Sequence, residues 1–338
     1  MTINHRIVLA SRPAAEATVD NFRLEEAPLP ALQDGQVLVR HHFLSLDPYM
    51  RMRMNEAKNY AAPQALGEVM IGGTAGVVAE SRHPKFTSGD SVVGMGGWQE
   101  WSVVDGNVPG ALRKVDAALV PLAAYLGAVG MPGVTAWVGL VHYIEPQEGE
   151  TIVVDAASGA GGSAVGQLAK ARGCRAVGIA GGADKCAYVV DELGFDACID
   201  YKAHRDPAAL GAALDAAAPR GVDGLFENVG GMIFDSVLSR MNAFGRVALC
   251  GLISGYDGQS LAISNARLLL TQRLRLQGFI VSEQMQLWPA ALKELGGLVA
   301  GGQLKYRETV APNLAAAPEA FLGLLKGRNF GKQLVQLI

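Results

Sequence analysis

The chain has few cysteines, no run of one charge and no long apolar segment, and each absence excludes a class of protein. Its four cysteines among 338 residues form no Cys-x-x-Cys pair, so neither a structural zinc nor a disulfide framework is expected. We interpret all four as small buried hydrophobic residues. The formal net charge is −3 and there is no basic run, which argues against nucleic acid as a partner.

Membrane spans and secretion signals are also missing from the pattern. No stretch of about 18 apolar residues could cross a bilayer. Asn4, His5 and Arg6 interrupt the start of the chain, where the apolar part of a signal peptide would lie. We therefore expect a cytoplasmic protein that does not bind membranes. The length of 338 residues favours about two domains with ample core.

A glycine-rich turn between two apolar runs is the most informative stretch. The runs 151–155 and 175–180 have the length of buried parallel strands, and a helical pattern lies between them. Gly159, Gly162 and Gly166 are spaced as GxxGxxxG, and a turn without side chains lets the backbone approach a pyrophosphate at a helix N-terminus. Such a turn alone could be only a tight turn. The strand–helix–strand context favours a dinucleotide site.

The end of the second run indicates which nicotinamide cofactor is bound. An NAD site usually carries Asp or Glu there, to bind the ribose 2′-hydroxyl. Here the run ends in Gly181 and Gly182 without an acid, and Lys185 follows closely. This favours a 2′-phosphate and therefore NADP(H) over NAD(H). The alternative for Lys185 is a solvated side chain, although cations are disfavoured in the first turn of a helix.

The alternation of strands and helices continues and predicts a doubly wound parallel sheet of six strands. The predicted strands are 151–155, 175–180, 197–200, 222–228, 245–251 and 275–281. Asp206 is a predicted N-cap, with Pro207 as the first residue of its helix. Ligands of such sheets bind outside the carboxyl ends of the strands. The residues expected there are Asn228, Ile253, Ser254, Tyr256, Phe279 and Val281.

The two ends of the chain have a different pattern, with short strands separated by turns. Runs 36–40, 76–80 and 91–94 predict a mainly β domain, either barrel-like or a rolled sheet. A strand at 304–310, a helix at 318–326 and a strand at 333–338 return to this style. We predict a discontinuous catalytic domain, 1–125 with 301–338, around a nucleotide-binding domain at 126–300.

Two further features could serve either a ligand or simple packing. Small residues around Met131 and Thr135 would let a helix approach a flat cofactor, but a tightly packed helix pair explains them equally well. Tyr49 follows a proline turn and Tyr60 lies eleven residues later; taken alone, each is more typical of a half-buried packing residue.

Seven blocks in order carry a resemblance to a known family. They are LDPYMR at 46–51, MPGVTAW at 131–137, AASGAGGSAVGQLAK at 156–170, GGADKC at 181–186, FENVGG at 226–231, CGLISGY at 250–256 and NFGK at 329–332. With them the whole chain resembles the medium-chain dehydrogenase/reductase superfamily. It is most similar to the zinc-independent branch of leukotriene B4 dehydrogenase, prostaglandin reductase and curcumin reductase. The resemblance implies a GroES-like catalytic domain with a Rossmann domain.

The resemblance also implies chemistry without a metal. Zinc alcohol dehydrogenases of the superfamily carry a Gly-His-Glu motif and a four-cysteine lobe. The corresponding place here, Leu66-Gly-Glu-Val-Met70, has no histidine, and the lobe is absent. Without a metal to polarise a carbonyl, reduction of a conjugated C=C bond is expected rather than alcohol oxidation.

The same resemblance implies roles for individual residues. Ala160, Gly161, Gly162 and Ser163 would hold the pyrophosphate, although relatives often have Val where Gly161 stands, and the glycine should loosen the turn. Lys185 and Tyr201 would meet the 2′-phosphate. Asn228 and Asn329 would also contact the cofactor. Cys250, Gly251 and the rest of 250–256, with 279–281, would line the nicotinamide pocket.

We expect hydride transfer to the β-carbon of an enone or enal, with negative charge developing on the carbonyl oxygen. Tyr256 is the first candidate donor to that oxygen. Tyr49 and Tyr60 are candidates to orient the substrate or to supply the α-carbon proton. A quinone reductase of the same superfamily and a non-catalytic NADPH-binding protein are the alternatives. A homodimer is implied by the resemblance.

Overall fold

The computed structural model describes residues 3–56 and 59–338. The strands within them are β1 (Ile3–Leu9), β2 (Phe22–Pro28), β3 (Gln36–Ser45), β4 (Thr74–Ser81), β5 (Ser91–Gly94), β6 (Trp101–Asp105), β7 (Leu112–Lys114), β8 (Thr151–Val154), β9 (Arg175–Ala180), β10 (Ala197–Asp200), β11 (Val222–Glu227), β12 (Met241–Leu249), β13 (Arg275–Gly278), β14 (Glu308–Ala311) and β15 (Lys332–Gln336). The α-helices are α1 (Tyr49–Arg53), α2 (Met131–Trp137), α3 (Ala160–Lys170), α4 (Ala183–Ala187), α5 (Pro207–Ala217), α6 (Gly231–Leu238), α7 (Arg267–Thr271), α8 (Trp288–Ala300) and α9 (Ala317–Leu325).

Shorter helical segments extend or connect these elements. Two π-helical segments, Val138–Ile144 and Tyr188–Glu192, continue α2 and α4. Turns of 3₁₀-helix lie at Val19–Asn21, Leu122–Leu126, Ile253–Gly255, Val281–Glu283, Met285–Leu287 and Leu314–Ala316. Across 3–56 and 59–338, none of the helices has the length and apolar character that crossing a bilayer requires.

The chain forms two compact units. One consists of Met1–Gly127 with Glu308–Ile338, and the other is Ala128–Arg307.

In the unit Ala128–Arg307, six parallel strands lie in the order β10-β9-β8-β11-β12-β13. All four residues of the central strand β8 are buried, as expected when helices cover both faces of a sheet. This strand order is that of the doubly wound dinucleotide-binding fold, so the predicted fold class is confirmed. The order reverses between β8 and β11, and the carboxyl ends of these two strands therefore flank the expected ligand crevice.

Local signals set the helices of this unit. Asp206 accepts hydrogen bonds from the amides of Ala208 (3.0 Å) and Ala209 (2.9 Å) and caps α5, which begins at Pro207 as predicted. Gly173, with φ of 74°, follows the end of α3. Leu210 and Leu214 of α5 pack into the core against the sheet.

The unit Met1–Gly127 with Glu308–Ile338 is mainly β, which confirms the second part of the fold prediction. A seven-stranded mixed sheet has the order β14-β15-β3-β4-β5-β7, with β6 paired to β3, and β1 pairs with β2. Its core surrounds the fully buried Trp98. The Trp98 ring stacks on Phe22 at 5.3 Å between centroids and contacts the edge of Phe321 at 5.6 Å.

Several sequence-based expectations differ from the structure. The strand expected at 275–281 is β13, which ends at Gly278 and is followed by a 3₁₀ turn at Val281–Glu283. The strand expected at 304–310 is β14, which begins only at Glu308; Leu304 is apolar because it is buried beside a turn, with 3% of its surface exposed. The strand expected at 245–251 is β12, which ends at Leu249, so the glycine of 250–251 lies beyond the sheet. The prediction that all four cysteines are buried is correct for Cys174 and wrong for the other three, which are half-buried.

Candidate functional site

The glycine turn after β8 has the geometry that an anion site needs. Gly159 is the N-cap of α3, whose first residues are Ala160 to Ser163, and amides at a helix N-terminus attract negative charge. A Cβ at Gly162 would lie 2.5 Å from the carbonyl oxygen of Ala156, so only glycine fits there. A Cβ at Gly166 would overlap the ring of Phe195 at 1.8 Å, so this glycine lets α3 pack closely against Phe195.

Gly161 has a different role from these two glycines. The nearest atom to an added Cβ is the carbonyl oxygen of Pro132, at an ordinary contact distance of 3.8 Å. A side chain at this position therefore has room at its first carbon, and the local packing does not require glycine.

Two lysines, Lys185 and Lys202, and Tyr201 lie close together beyond the carboxyl end of β9. A Cβ at Gly181 would lie 2.9 Å from both Lys202 Cε and Tyr201 Cε1, so both side chains fold over this glycine. Burial, and then the charge of Lys202, lower the pKa of Lys185, so the two ammonium groups lie near each other. An anion placed beside them would relieve this repulsion, as the 2′-phosphate of NADP(H) would.

Asp200 holds the backbone beneath these lysines. Its Oδ1 accepts from the amide of Gly182 at 2.8 Å and from the amide of Lys202 at 2.9 Å. Gly182 has a φ of 113°, a conformation that favours glycine. Lys202 directly follows Tyr201 in the sequence, but the sequence pattern assigned it no role; only the fold shows its side chain beside Gly181.

A pair of buried carboxyl groups lies at the carboxyl ends of β8 and β11, where the strand order reverses. Asp155 and Glu227 are both 0% exposed, and their side chains are within hydrogen-bonding reach of each other. Burial and then the charge of Asp155 hold the pKa of Glu227 well above its usual range. Burial also raises the pKa of Asp155, against the opposing effect of hydrogen bonds from Glu227 and Asn228. Burial and the neighbouring carboxyl group of Asp155 therefore favour the protonated form of Glu227.

This carboxyl pair fixes the loop that follows β11. Asp155 Oδ1 accepts from the Asn228 amide at 2.7 Å and from Asn228 Nδ2 at 3.0 Å. Glu227 Oε1 accepts from the amides of Val229 at 2.7 Å and Gly230 at 2.6 Å. The side chain of Asn228 is thereby held at the sheet edge.

The loop after β12 is in turn held by the loop after β11. The amides of Cys250 and Gly251 donate to the carbonyl of Glu227 at 2.9 and 3.1 Å. The amide of Ile253 donates to the Asn228 carbonyl, and the Ser254 amide to the Val229 carbonyl, both at 3.0 Å. The predicted site segment 250–256 is therefore tied to the carboxyl pair through backbone hydrogen bonds.

Tyr256 lies at this edge of the sheet. Its Oη would be 3.2 Å from a Cβ placed on Gly251, and the same Cβ would lie 3.2 Å from the Asn228 carbonyl oxygen. The phenol is therefore next to the carboxyl ends of β11 and β12, on the side where a dinucleotide would bind.

Other predicted site residues make contacts within the fold. The Phe279 ring is buried (8% exposed) against Tyr143, at 4.8 Å between centroids. The carbonyl of Val281 accepts from Trp288 Nε1 at 3.0 Å. The Thr135 hydroxyl donates to the Met131 carbonyl at 2.7 Å inside α2.

The other unit contains a buried ion pair that sequence reasoning did not identify. Lys332, at the start of β15, is 4% exposed, and its Nζ donates to Asp47 Oδ1 at 2.5 Å and to the Leu46 carbonyl at 2.7 Å. Ser45 also donates to the carboxylate of Asp47. Burial lowers the pKa of Lys332, while Asp47 opposes that effect.

One of the two predicted tyrosines of this unit, Tyr49, lies beside that ion pair. Burial, and then the charge of Asp47, raise the pKa of Tyr49, and Tyr60 is close enough to contribute as well. Tyr60 is 44% exposed. Asn329 Nδ2 donates to the Gly331 carbonyl at 2.7 Å and so shapes the turn before β15. Among residues 3–56 and 59–338, no three His, Cys, Asp or Glu side chains are grouped as a metal ion would need.

Comparison with known proteins matches both units. Residues 5–112 match a family model described as the N-terminal domain of oxidoreductase, and residues 161–296 match one described as zinc-binding dehydrogenase. The chain is 44% identical over 341 residues to the NADPH-dependent curcumin reductase of Escherichia coli (strain K12), covering 99% of this chain and 97% of that protein.

The chain belongs to the zinc-independent branch of the medium-chain dehydrogenase/reductase superfamily.

Two further relatives agree with this membership. The NADP(+)-dependent 2-alkenal reductase of Nicotiana tabacum is 42% identical over 305 residues, covering 90% of this chain and 88% of that protein. The crystal structure of CurA in complex with NADPH from Vibrio vulnificus superposes with a TM-score of 0.92 at 42% identity, covering 99% of each chain. The resemblance found from the seven sequence blocks is confirmed.

Proposed function

We propose that this reductase uses NADPH to reduce the C=C bond of α,β-unsaturated ketones and aldehydes. The observation that carries the proposal is the fit of the sheet edge to this cofactor: a glycine-dependent helix N-terminus at Gly162 for the pyrophosphate, with Lys185 and Lys202 together for a 2′-phosphate. Relatives named as NADPH-dependent curcumin reductase and 2-alkenal reductase support the reaction class.

When bound, NADPH supplies the hydride that the β-carbon of the substrate accepts. The protein's own task is to stabilise the negative charge that develops on the carbonyl oxygen. We assign that donor role to the phenol of Tyr256, because it lies at the carboxyl edge of the sheet beside Gly251. A phenol is neutral at pH 7 and donates one hydrogen bond.

Tyr49 and Tyr60 belong to the other unit, and their proposed role is narrower. A raised pKa makes the Tyr49 phenol a weaker acid, which suits a residue that orients the substrate better than one that protonates the α-carbon. We propose that the unit with β3 and β15 is the catalytic domain, joined to the NADP-binding domain near residues 125 and 300. The reaction is proposed to need no metal.

Deuterium transfer tests the reaction. NADPH labelled with deuterium at the transferable C4 position is incubated with the protein and each of four substrate classes: 2-alkenals, aryl enones, 15-oxo lipids and quinones. We expect saturated ketone or aldehyde with deuterium on the β-carbon. Deuterium on the carbonyl carbon, or turnover of quinones alone, would contradict the proposal and favour an alcohol dehydrogenase or a quinone reductase.

Tyr256→Phe tests the assigned donor. Loss of the hydroxyl should lower kcat for enone reduction more than about threefold, equivalent to more than ~0.6 kcal/mol of barrier, with the Kd for NADPH changed little. Tyr143→Phe, on a tyrosine packed against Phe279, is the matched control and should leave kcat unchanged. A smaller change in Tyr256→Phe would remove the tyrosine from the mechanism.

We also propose a homodimer in the cytoplasm. Light scattering coupled to size-exclusion chromatography should give the mass of two chains, and the mass of one chain would contradict the dimer.

A further inference from the structure

Two of the half-buried cysteines lie together beside Lys185 and Lys202, near the carboxyl ends of β9 and β10. The thiols of Cys186, in α4, and Cys198, in β10, share a hydrogen bond. Strand alternation explains why they meet: Ala197 and Ile199 pack into the core with α5, so Cys198 points to the opposite face. Its Sγ lies over Gly178 of β9, 3.2 Å from where a Cβ would be.

The backbone around the two thiols is compatible with a bond between them. α4 packs on β10, with Cα atoms of the two elements within 8 Å of each other, and a disulfide needs a Cα separation of roughly 4.4–6.8 Å. The other two cysteines lack such a neighbour in the part of the chain that is described: Cys174 donates to the Gln147 carbonyl at 3.3 Å, and Cys250 faces the carboxyl pair.

The hydrogen bond between the two thiols acts on their pKa values in opposite directions. The hydrogen bond with Cys198 lowers the pKa of Cys186, whereas the same bond and burial raise the pKa of Cys198. Asp200 is the charged side chain that acts on both. The thiolate is the nucleophilic form, and both residues are half-buried rather than sealed in the core, so a small oxidant can reach Cys186.

We propose that Cys186 and Cys198 are a peroxide-reactive dithiol site whose oxidation to a disulfide weakens NADPH binding. The second half of this proposal rests on the proposed function, because it takes Lys185 and Lys202 to be ligands of the 2′-phosphate.

The oxidation is balanced with hydrogen peroxide as the oxidant. The Cys186 thiolate attacks one peroxide oxygen, the O–O bond breaks, and hydroxide leaves and becomes water, which gives a sulfenic acid on Cys186. The Cys198 sulfur then attacks the sulfenic sulfur; the S–O bond breaks, and the departing hydroxide takes the Cys198 proton as a second water. Two thiols lose two electrons in total, and one peroxide is reduced to two waters.

The position of the pair couples this bond to the cofactor site. Lys185 directly precedes Cys186, and Tyr201 and Lys202 follow Cys198 after two intervening residues of β10. Drawing α4 towards β10 therefore moves Lys185 relative to the side chains folded over Gly181. NADH lacks the 2′-phosphate, so its binding should be affected much less.

The test uses the full-length protein, reduced and then treated with hydrogen peroxide that catalase later removes. Wild type and the Cys174→Ser control should form one disulfide, mapped by mass spectrometry to Cys186 and Cys198, and the Kd for NADPH should rise at least about fivefold, close to 1 kcal/mol. Dithiothreitol should restore the affinity. Cys186→Ser and Cys198→Ser should keep their NADPH affinity after peroxide.

The order of attack has its own readout. Dimedone should trap a sulfenic acid on Cys186 in Cys198→Ser, and a trap on Cys198 in Cys186→Ser instead would overturn the assignment of roles. Failure of the wild type to form this disulfide would overturn the site itself, and a disulfide without loss of NADPH affinity would overturn the coupling. If reduced wild type fails to bind NADPH while the disulfide still forms, the proposed function and the coupling fail and the dithiol site stands.

Discussion

The two units each bury a pair of ionisable groups, but of different kinds. At the sheet edge of Ala128–Arg307, Asp155 and Glu227 are two buried acids, and the pKa of Glu227 is held well above its usual range. In the other unit, Asp47 and Lys332 are an acid and a base joined directly. Neither pair has appreciable contact with solvent, because all four residues are 5% exposed or less.

The difference between the pairs reflects what each one holds. The acid pair accepts hydrogen bonds from backbone amides of residues 228–230 and so shapes a loop for a ligand. The acid–base pair joins residues 285 positions apart and ties the start of β15 to the end of β3. One pair organises a binding loop, and the other joins the N-terminal and C-terminal segments of the mainly β unit.

The two pairs should also respond to pH in opposite directions. The pKa of Glu227 is raised in the fold, so the folded state binds more protons above pH 4.5, and stability falls as pH rises through that window. The pKa of Lys332 is lowered, so the unfolded state binds more protons below 10.5, and stability rises as pH approaches that value.

The largest effect should come from breaking the acid–base pair. Lys332→Met leaves Asp47 buried without its cation, and we expect about 3–5 kcal/mol to be lost from the free energy of unfolding. Hydrogen exchange should quicken in β3 and β15 and stay slow in β8 and β11. Removing both charges, with Asp47→Leu added to Lys332→Met, should restore part of the loss, since no buried charge is left unpaired. A double variant as unstable as the single one would contradict this account of the pair.

A medium effect should come from the glycine turn that adjoins the acid pair. Gly162→Ala places a methyl group 2.5 Å from the Ala156 carbonyl oxygen, so the turn must shift; we expect a cost of about 1–3 kcal/mol and a clear rise in the Kd for NADPH. Gly161→Ala is the matched control. Its Cβ has room at 3.8 Å, and alanine favours a helix, so stability should be unchanged or higher by up to about 1 kcal/mol. Equal losses in both variants would show that the turn is not limited by this contact.

The smallest effect at neutral pH should come from Glu227→Gln. The amide imitates the protonated carboxyl group, so we expect less than about 1 kcal/mol of change near pH 7. Compared with Glu227→Gln, the thermal unfolding midpoint of the wild type should decrease as the pH rises from about 5 to 9, because only the wild type can lose a proton at position 227. Parallel pH profiles would mean that Glu227 does not carry that proton.

Local patterns explain why the nucleotide-binding half was predicted well. The glycine turn, the apolar runs and the Asp206-Pro207 cap each depend on neighbours within a few residues, and β9 and β10 begin and end where the runs do. The predicted end of a strand was less accurate where a glycine follows. The run expected to form β12 continues to residue 251, but the strand ends at Leu249.

Pairs that join distant parts of the chain could not be predicted. Asp47 and Lys332, or Asp155 and Glu227, become neighbours only when the strands that carry them are assembled. Cys186 and Cys198 are closer in sequence, yet the alternation of β10 and the packing of α4 decide that their thiols meet. Lys202 was visible beside Tyr201, but only its position over Gly181 shows that it accompanies Lys185.

The most direct measurement compares the Kd values of NADPH and NADH for the wild type, Lys185→Ala, Lys202→Ala and the double variant by fluorescence titration. If Lys185 and Lys202 bind the 2′-phosphate, the wild type should bind NADPH at least about tenfold more tightly than NADH. That ratio should fall with each substitution and approach one in the double variant, while the NADH value stays constant. A ratio that the substitutions leave unchanged, or equal losses for both cofactors, would contradict the account.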